Sequence, residues 1–439
     1  MEESDAPGAV TRVFLRNEGE LLVVRSRDGV WDALSLQGTG RESDDEALRR
    51  QVAAVTGVDV TALVVARRGD PQTIETSTSA FDPGERENDH QPTGENEERS
   101  DGSRVAAERT VRPVLIDSST RQLPDLSVET RWIHATALRR CETAPGLWTS
   151  YDRVAPTVRS IAADDEHGAA TLSIRALEVL RDRAGVLVEE GESDPGELIA
   201  LAQRLLRSRP SMAVVRNRLA RVLATGEDPA GIESAAIDGI ERATAADREA
   251  AFRAAGIVDG ATVLTLSRSG TVLEALGTGT AARVFVAESR PAMEGVDVAT
   301  ALADELSVTV HTDAAVAHVL ATESIEAVLV GADTILPDGR VVNKTGTRAA
   351  ALAASREDVP VYAVAATDKI TTRESVNLES GNAGAVYDGD AAIDVLNPTF
   401  DVTPAAAIEG IITEQGVLSP DTVMEVAEEL EDVIATAGF

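Results

Sequence analysis

The stretch VLTLSRSGTVLEAL, Val263 to Leu276, runs an apolar segment into Ser267, Arg268, Ser269 and Gly270 before an apolar-periodic pattern begins. Three kinds of chemistry suit those residue types. A serine at a strand end can act as a nucleophile if a base stands beside it. Arg268, Ser269 and the N–H groups of a helix opening at Gly270 can instead hold an anion. The four residues can also form a plain polar turn. No histidine accompanies Ser267 in the loop, and anion binding is the reading carried forward.

A second constellation lies in VGADTILPDGRVVNKTGT, Val330 to Thr347. An apolar run ends near Asp333, and a second apolar pair leads into Asn343, Lys344, Gly346 and Thr347. A carboxylate at a strand end can move protons on a hydroxyl, while an ammonium group and backbone N–H groups near glycine suit a phosphate. A sugar phosphate would use both. Read blandly, Asp333 is a turn or cap residue. Lys344 argues against that reading, because Lys344 and Lys369 are the only lysines in the chain and arginine supplies the remaining positive charge. Lysine is a compact point charge that a guanidinium replaces poorly in a tight site.

The elements that must position these groups follow from the apolar pattern. From Ala261 onward, short apolar runs (TVLTL, ARVFVAE, SVTVHT, EAVLVGAD, PVYAVAA) alternate with amphipathic segments. This predicts a parallel sheet covered by helices on both faces, with ligands beyond the carboxyl ends of the strands. The residues standing there are Ser267, Glu288 with Arg290, Asp313, Asp333, and Asp368 with Lys369. Residues 171 to 250 carry three helical patterns and little strand character. Nearer the start, VTRVFLRNEGELLVVR predicts a hairpin and Asp44 to Val55 a helix stopped by Gly57.

Residues 81 to 110 hold almost no apolar side chains and are expected to form a disordered insertion. The fold class expected is multi-domain α/β. Its parts are residues 1–165, a helical subdomain over 166–250, and a Rossmann-like parallel-sheet domain over 251–439.

Composition narrows the function. With 74 acidic and 41 basic residues, the net charge of -33 repels phosphate backbones and argues against direct nucleic-acid binding. An acidic, lysine-poor chain suits a cytoplasm of high salt, where screening makes such self-repulsion tolerable. One cysteine, Cys141, and five scattered histidines offer neither a disulfide nor metal-ligand spacing, so no metal or cofactor is expected. No apolar run reaches membrane-spanning length, and the expected location is cytoplasmic.

The hairpin, the stretch WDALSLQGTG and the helix ending RRQVAAVTGV resemble a Nudix hydrolase domain, which implies an α/β/α sandwich to about residue 155. With Gly57 setting the register, Glu42 and Arg50 fit the Nudix signature, but Gln51, Ala54 and Val55 stand where it has three glutamates. Those glutamates hold magnesium against a diphosphate, so pyrophosphohydrolase activity is not expected.

From about residue 170 to 430 the chain resembles the translation initiation factor two-B alpha, beta and delta subunit family. That family includes ribose-1,5-bisphosphate and methylthioribose-1-phosphate isomerases. SRPSMAVVRN, AESRPAMEG, HTDAAVAHVL and NPTFDVTPAAAIEGIITEQGVLSP carry the likeness, together with the two stretches above. In the isomerases a cysteine and an aspartate interconvert aldose and ketose phosphates. The resemblance places Asp333 at the aspartate, Ser267 at the cysteine, Asn343 and Lys344 at substrate contacts, and Arg209 and Arg290 near the site. A thiol ionises near pH ~8.5, whereas a serine hydroxyl needs a base.

The expectation is therefore a regulatory, metabolite-sensing module that binds a phosphorylated sugar or nucleotide, with a degenerate Nudix domain. An active sugar-phosphate isomerase and a Nudix pyrophosphohydrolase are the alternatives. The resemblance also implies a homo-oligomer, and its family name allows a translation-factor partner.

Overall fold

The computed structural model describes residues 10–37, 44–76, 107–164 and 167–439. The chain forms two compact units, Met1–Pro156 and Thr157–Phe439.

In the first unit, β1 (Val10–Asn17) and β2 (Glu20–Arg25) form the expected hairpin, turning through Glu18 and Gly19 at positive φ. β3 (Trp31–Asp32), β4 (Leu34–Gln37), β5 (Leu63–Arg68), β6 (Gln72–Thr76), β7 (Ala107–Ser118) and β8 (Thr130–His134) complete an eight-stranded mixed sheet. Strand alternation sends Val13, Leu15, Leu22 and Val24 to one face, against Leu48 and Val52 of α1 (Asp45–Thr56). Phe14, Leu21 and Val23 face the other way, toward Leu147 and Tyr151 of α2 (Leu147–Asp152). Asp44 caps α1 by accepting from the Ala47 N–H, and Gly57 ends the helix at φ 73°. The insertion expected at 81–110 lies mostly outside the described residues. Its last four positions, however, belong to β7, where Thr110 pairs with Thr73.

The second unit opens with helices α3 (Val158–Ala162), α4 (Ala169–Glu190), α5 (Gly196–Ser208), α6 (Ala213–Thr225) and α7 (Pro229–Val258). Leu177, Leu180, Leu201, Leu205, Leu219 and Ile240 make their shared core. The 30-residue α7 continues past residue 250, so the sheet begins only at Thr262.

There the expected alternation appears: β9 (Thr262–Leu266), α8 (Gly270–Thr278), β10 (Arg283–Ala287), α9 (Glu294–Leu302), β11 (Val308–His311), α10 (Val316–Thr322) and β12 (Ala327–Gly331). β13 (Thr334–Ile335), β14 (Val341–Lys344) and β16 (Phe400–Thr403) form a separate small antiparallel sheet. The chain continues with α11 (Thr347–Arg356), β15 (Val361–Val364), β16 (Phe400–Thr403), β17 (Gly410–Thr413), β18 (Gly416–Leu418) and α12 (Pro420–Thr436).

The main sheet has the order β11-β10-β9-β12-β15-β17-β18, with only the β17–β18 pair antiparallel. Strand order reverses between β9 and β12, and in sheets of this kind the ligand crevice lies at that switch point. Ser267 follows β9 directly, and Asp333 stands two residues beyond β12. No helix among the described residues is long and apolar enough to cross a membrane.

Candidate functional site

Ser267 leaves β9 at φ 60°. This left-handed backbone costs a non-glycine residue roughly 1–3 kcal/mol and persists only where its surroundings enforce it. The Ser267 N–H donates to Ser289 Oγ at 2.7 Å, and Ser289 Oγ donates to the Ala287 carbonyl at 3.0 Å. Asp313 fixes the loop that carries Ser289, accepting from the N–H groups of Ser289 at 2.8 Å and Arg290 at 2.7 Å. Ser267 is buried. Its hydroxyl donates to Glu294 Oε2 at 2.6 Å, and Glu294 Oε1 accepts from Lys344 Nζ at 3.0 Å.

Ser269 is the N-cap of α8, accepting from the Val272 N–H at 3.4 Å. It presses so closely on the end of β12 that a Cβ at Gly331 would stand 2.7 Å from the Ser269 side chain. Glycine at 331 therefore allows the 267–270 loop and β12 to close together.

Asp333 anchors its backbone by donating its N–H to the Val342 carbonyl at 2.9 Å. Its side chain is partly open, into a hollow lined by Ser211, Met212, Val342, Val376, Asn377 and Phe400. Burial among these mostly apolar groups pushes the Asp333 carboxyl above the usual carboxylate range. Lys369 and Lys344 oppose the shift, Glu294 and Glu379 add to it, and desolvation outweighs the lysines. Both lysines of the chain thus act on one carboxyl group.

Lys369 owes its place to the helices. Asn217 Nδ2 donates to the carbonyls of Asp368 at 2.8 Å and Ile370 at 2.7 Å. Arg218 and Arg221 pair with the two Asp368 carboxylate oxygens at 3.2 and 3.0 Å. So held, the segment sends Lys369 Nζ to donate to the Ala332 carbonyl at 2.6 Å, next to Asp333.

Asn343 and Thr347 tie β14 to α11. Asn343 Nδ2 donates to Thr347 Oγ1 at 3.0 Å, and that hydroxyl donates to the Lys344 carbonyl at 2.7 Å. The amides at the α11 terminus, expected to face a phosphate, meet a carboxylate of the protein itself. Asp401 accepts from the Gly346 N–H at 2.8 Å and from the Arg348 N–H at 3.1 Å. Burial raises the Asp401 pKa, and these two amides oppose the rise.

The arginines are more dispersed. Arg209 Nε donates to the Ile161 carbonyl at 3.0 Å, and its guanidinium also donates to the Asp164 carbonyl, holding the end of α3. The Arg290 side chain is 67% exposed, with Glu288 3.6 Å away, and Arg268 is also exposed. The structure therefore gathers Ser267, Lys344 and Asp333 with Glu294 and Lys369. It places Arg209 on a helix end and Arg268 and Arg290 at the surface.

Lys369, named from sequence as a residue beyond a strand end, joins this site. Two further partners were not singled out from sequence. Glu294 is an acid in the first turn of a helix, where the helix dipole alone explains an acid. Asp401 sits in NPTFDVTP, where two prolines suggest only a turn.

Residues 165–420 match the Initiation factor 2 subunit family. A ribose 1,5-bisphosphate isomerase of Haloterrigena turkmenica is 34% identical over 63% of this chain and 93% of its own length. A putative translation initiation factor eIF-2B subunit 2-like protein of Pyrococcus furiosus is 36% identical over 51% of this chain and 81% of its own. Among solved structures, the translation initiation factor eIF-2B of Pyrococcus horikoshii superposes with a TM-score of 0.52 at 29% identity. The superposition covers 61% of this chain and 97% of that one.

The family match lies wholly within the second unit and lends no support to a Nudix domain in the first. The isomerase relative, aligned along nearly all its length, overturns the expectation of a regulatory module and favours the isomerase alternative. By the match over residues 165–420 and the likeness along almost the whole of these relatives, this chain belongs to the Initiation factor 2 subunit family.

Proposed function

We propose that this protein is an aldose–ketose isomerase acting on a phosphorylated pentose of the ribose 1,5-bisphosphate type. The observation that carries the reading is Asp333. It is a carboxyl group at the switch point of the sheet, its ionisation opposed by burial and with both lysines of the chain acting on it. The relative named ribose 1,5-bisphosphate isomerase supports the same reading.

A sugar phosphorylated on its anomeric carbon must open its ring before it can isomerise. The ring oxygen takes a proton as its bond to C1 breaks. A desolvated acid is suited to give that proton, and Asp333 is the group we assign to it. The resulting carboxylate then stands beside Lys369 and Lys344 and takes the proton from the C2 hydroxyl as the ketone forms, which restores the acid. Lys344, Asn343 and Arg268 are the groups we assign to the substrate's phosphates and hydroxyls.

The test is turnover of ribose 1,5-bisphosphate to the ketose by the purified chain. Asp333→Asn should lower kcat by ~10²–10⁴-fold. An unaltered protein that does not turn the sugar over would sink the reading. For assembly we infer a homo-oligomer, supported by the exposed Val386, Ile393 and Leu396; light scattering that gives a monomer mass would count against it. For the first unit we infer a Nudix-like frame, supported by its hairpin and by α1 closed by Gly57.

A further inference from the structure

By resemblance, Ser267 falls at the position of the isomerases' cysteine, and a serine hydroxyl needs a base to take a proton. The structure supplies a carboxylate at that atom: Ser267 Oγ donates to Glu294 Oε2 at 2.6 Å. The other carboxylate oxygen accepts from Lys344 Nζ at 3.0 Å, so the charge of Glu294 is balanced and its orientation fixed from the far side. The Glu294 side chain is 19% exposed.

Its backbone has little room to move. Met293, the residue before it, sits at φ 61°, and at Gly295, the residue after it, a Cβ would fall 1.8 Å from the Ala287 carbonyl oxygen. The first turn of α9 is therefore pressed against the end of β10. The serine is held as firmly, through Ser289 and Asp313. A hydroxyl and a carboxylate on two separate strand-to-helix connections are thus fixed at short hydrogen-bond distance, at the mouth of the switch point.

We propose that Glu294 is the proton acceptor behind Ser267, so that hydroxyl and carboxylate together do the work of an ionised thiol. The proposal rests on the isomerase reading and names how its carbon-bound proton moves. With the ring open and C1 positively charged, the C2–H bond breaks and its electron pair forms the C1–C2 double bond. The C2 proton goes to Ser267 Oγ as the serine's own proton passes to Glu294 Oε2. In the return step the same pair delivers a proton to C1. The C2 hydroxyl then gives its proton to the Asp333 carboxylate, and serine, glutamate and aspartate end as they began. Ser267 touches the substrate; Glu294 acts through it.

The experiment is steady-state kinetics on ribose 1,5-bisphosphate with the full chain and with E294Q, S267C and the double variant E294Q/S267C. All four are checked for an unchanged thermal midpoint. E294Q should lower kcat by ~10²–10⁴-fold with little change in KM. A thiol needs no such partner, since it ionises near pH ~8.5. The double variant should therefore recover at least roughly tenfold over E294Q, with a rate that climbs toward that pH. Retained kcat in E294Q, or a double variant as slow as E294Q, overturns the proposal while leaving the isomerase reading standing. An inactive unaltered protein removes that reading and the proposal with it.

Discussion

Asp333 and Asp368 both follow strands of one parallel sheet, and the chain treats them in opposite ways. Asp368 is met by Arg218 and Arg221 at 3.2 and 3.0 Å, one guanidinium to each carboxylate oxygen. Asp333 receives its compensation through space from two lysines, each already bonded elsewhere, and lies in a hollow lined by Met212, Val342, Val376 and Phe400. The first is an ion pair that fastens the helices to the sheet. The second is an acid whose pKa burial raises, the direction that suits a group that must give up and take back a proton. What separates a structural carboxylate from a reactive one is therefore the surplus of desolvation over compensation.

Substituting both aspartates separates the two roles most sharply. Asp333→Asn should slow isomerisation by ~10²–10⁴-fold while raising the thermal midpoint, because the amide carries no charge to desolvate. Asp368→Asn removes one of the two carboxylates paired with Arg218, which is only 2% exposed and keeps Asp247 at 3.4 Å. An uncompensated buried charge costs ~3–5 kcal/mol, and the retained Asp247 contact should keep the loss below that. A chemical denaturation midpoint should fall accordingly, and Lys369 should lose its fixed position. If both variants instead lose stability alike, the two carboxylates are not different in kind.

The pH dependence is the next largest effect. The folded pKa of Asp333 is raised, so the folded chain holds this proton more tightly than the unfolded chain, whose aspartate ionises near ~3.9. The stability contributed by this group is full below that value. It falls as pH rises toward the folded pKa and is level beyond it. Isomerisation should decline over the upper part of the same window, as the acid ionises. Asp333→Asn should remove this segment of the stability-against-pH curve, and an unchanged curve would show that another group sets it.

A smaller effect tests the packing that brings the two strand ends together. Gly331→Ala places a Cβ 2.7 Å from the Ser269 side chain. Overpacking of this kind costs ~1–3 kcal/mol. It should appear as a lower melting temperature and a slower kcat with little change in KM. An alanine variant with wild-type kcat would mean that the spacing between the loop and β12 is not critical.

Much of the second unit was legible in the sequence, because apolar runs of about five residues alternating with amphipathic segments have few ways to bury their apolar faces. The ends of those runs pointed to Ser267 and Asp333, and the scarcity of lysine pointed to Lys344. Local pattern could not say which strand end lies beside which. The reversal of order between β9 and β12 sets this, and it arises from packing among segments more than sixty residues apart. Nor could it show that the α11 amides are taken by Asp401, that Arg209 holds a helix end, or that Glu294 reaches Ser267. Burial and partner choice are properties of the packed interior. The sequence determined which groups this protein carries at its strand ends, and only the tertiary structure decided which of them are desolvated, which are paired, and which face one another.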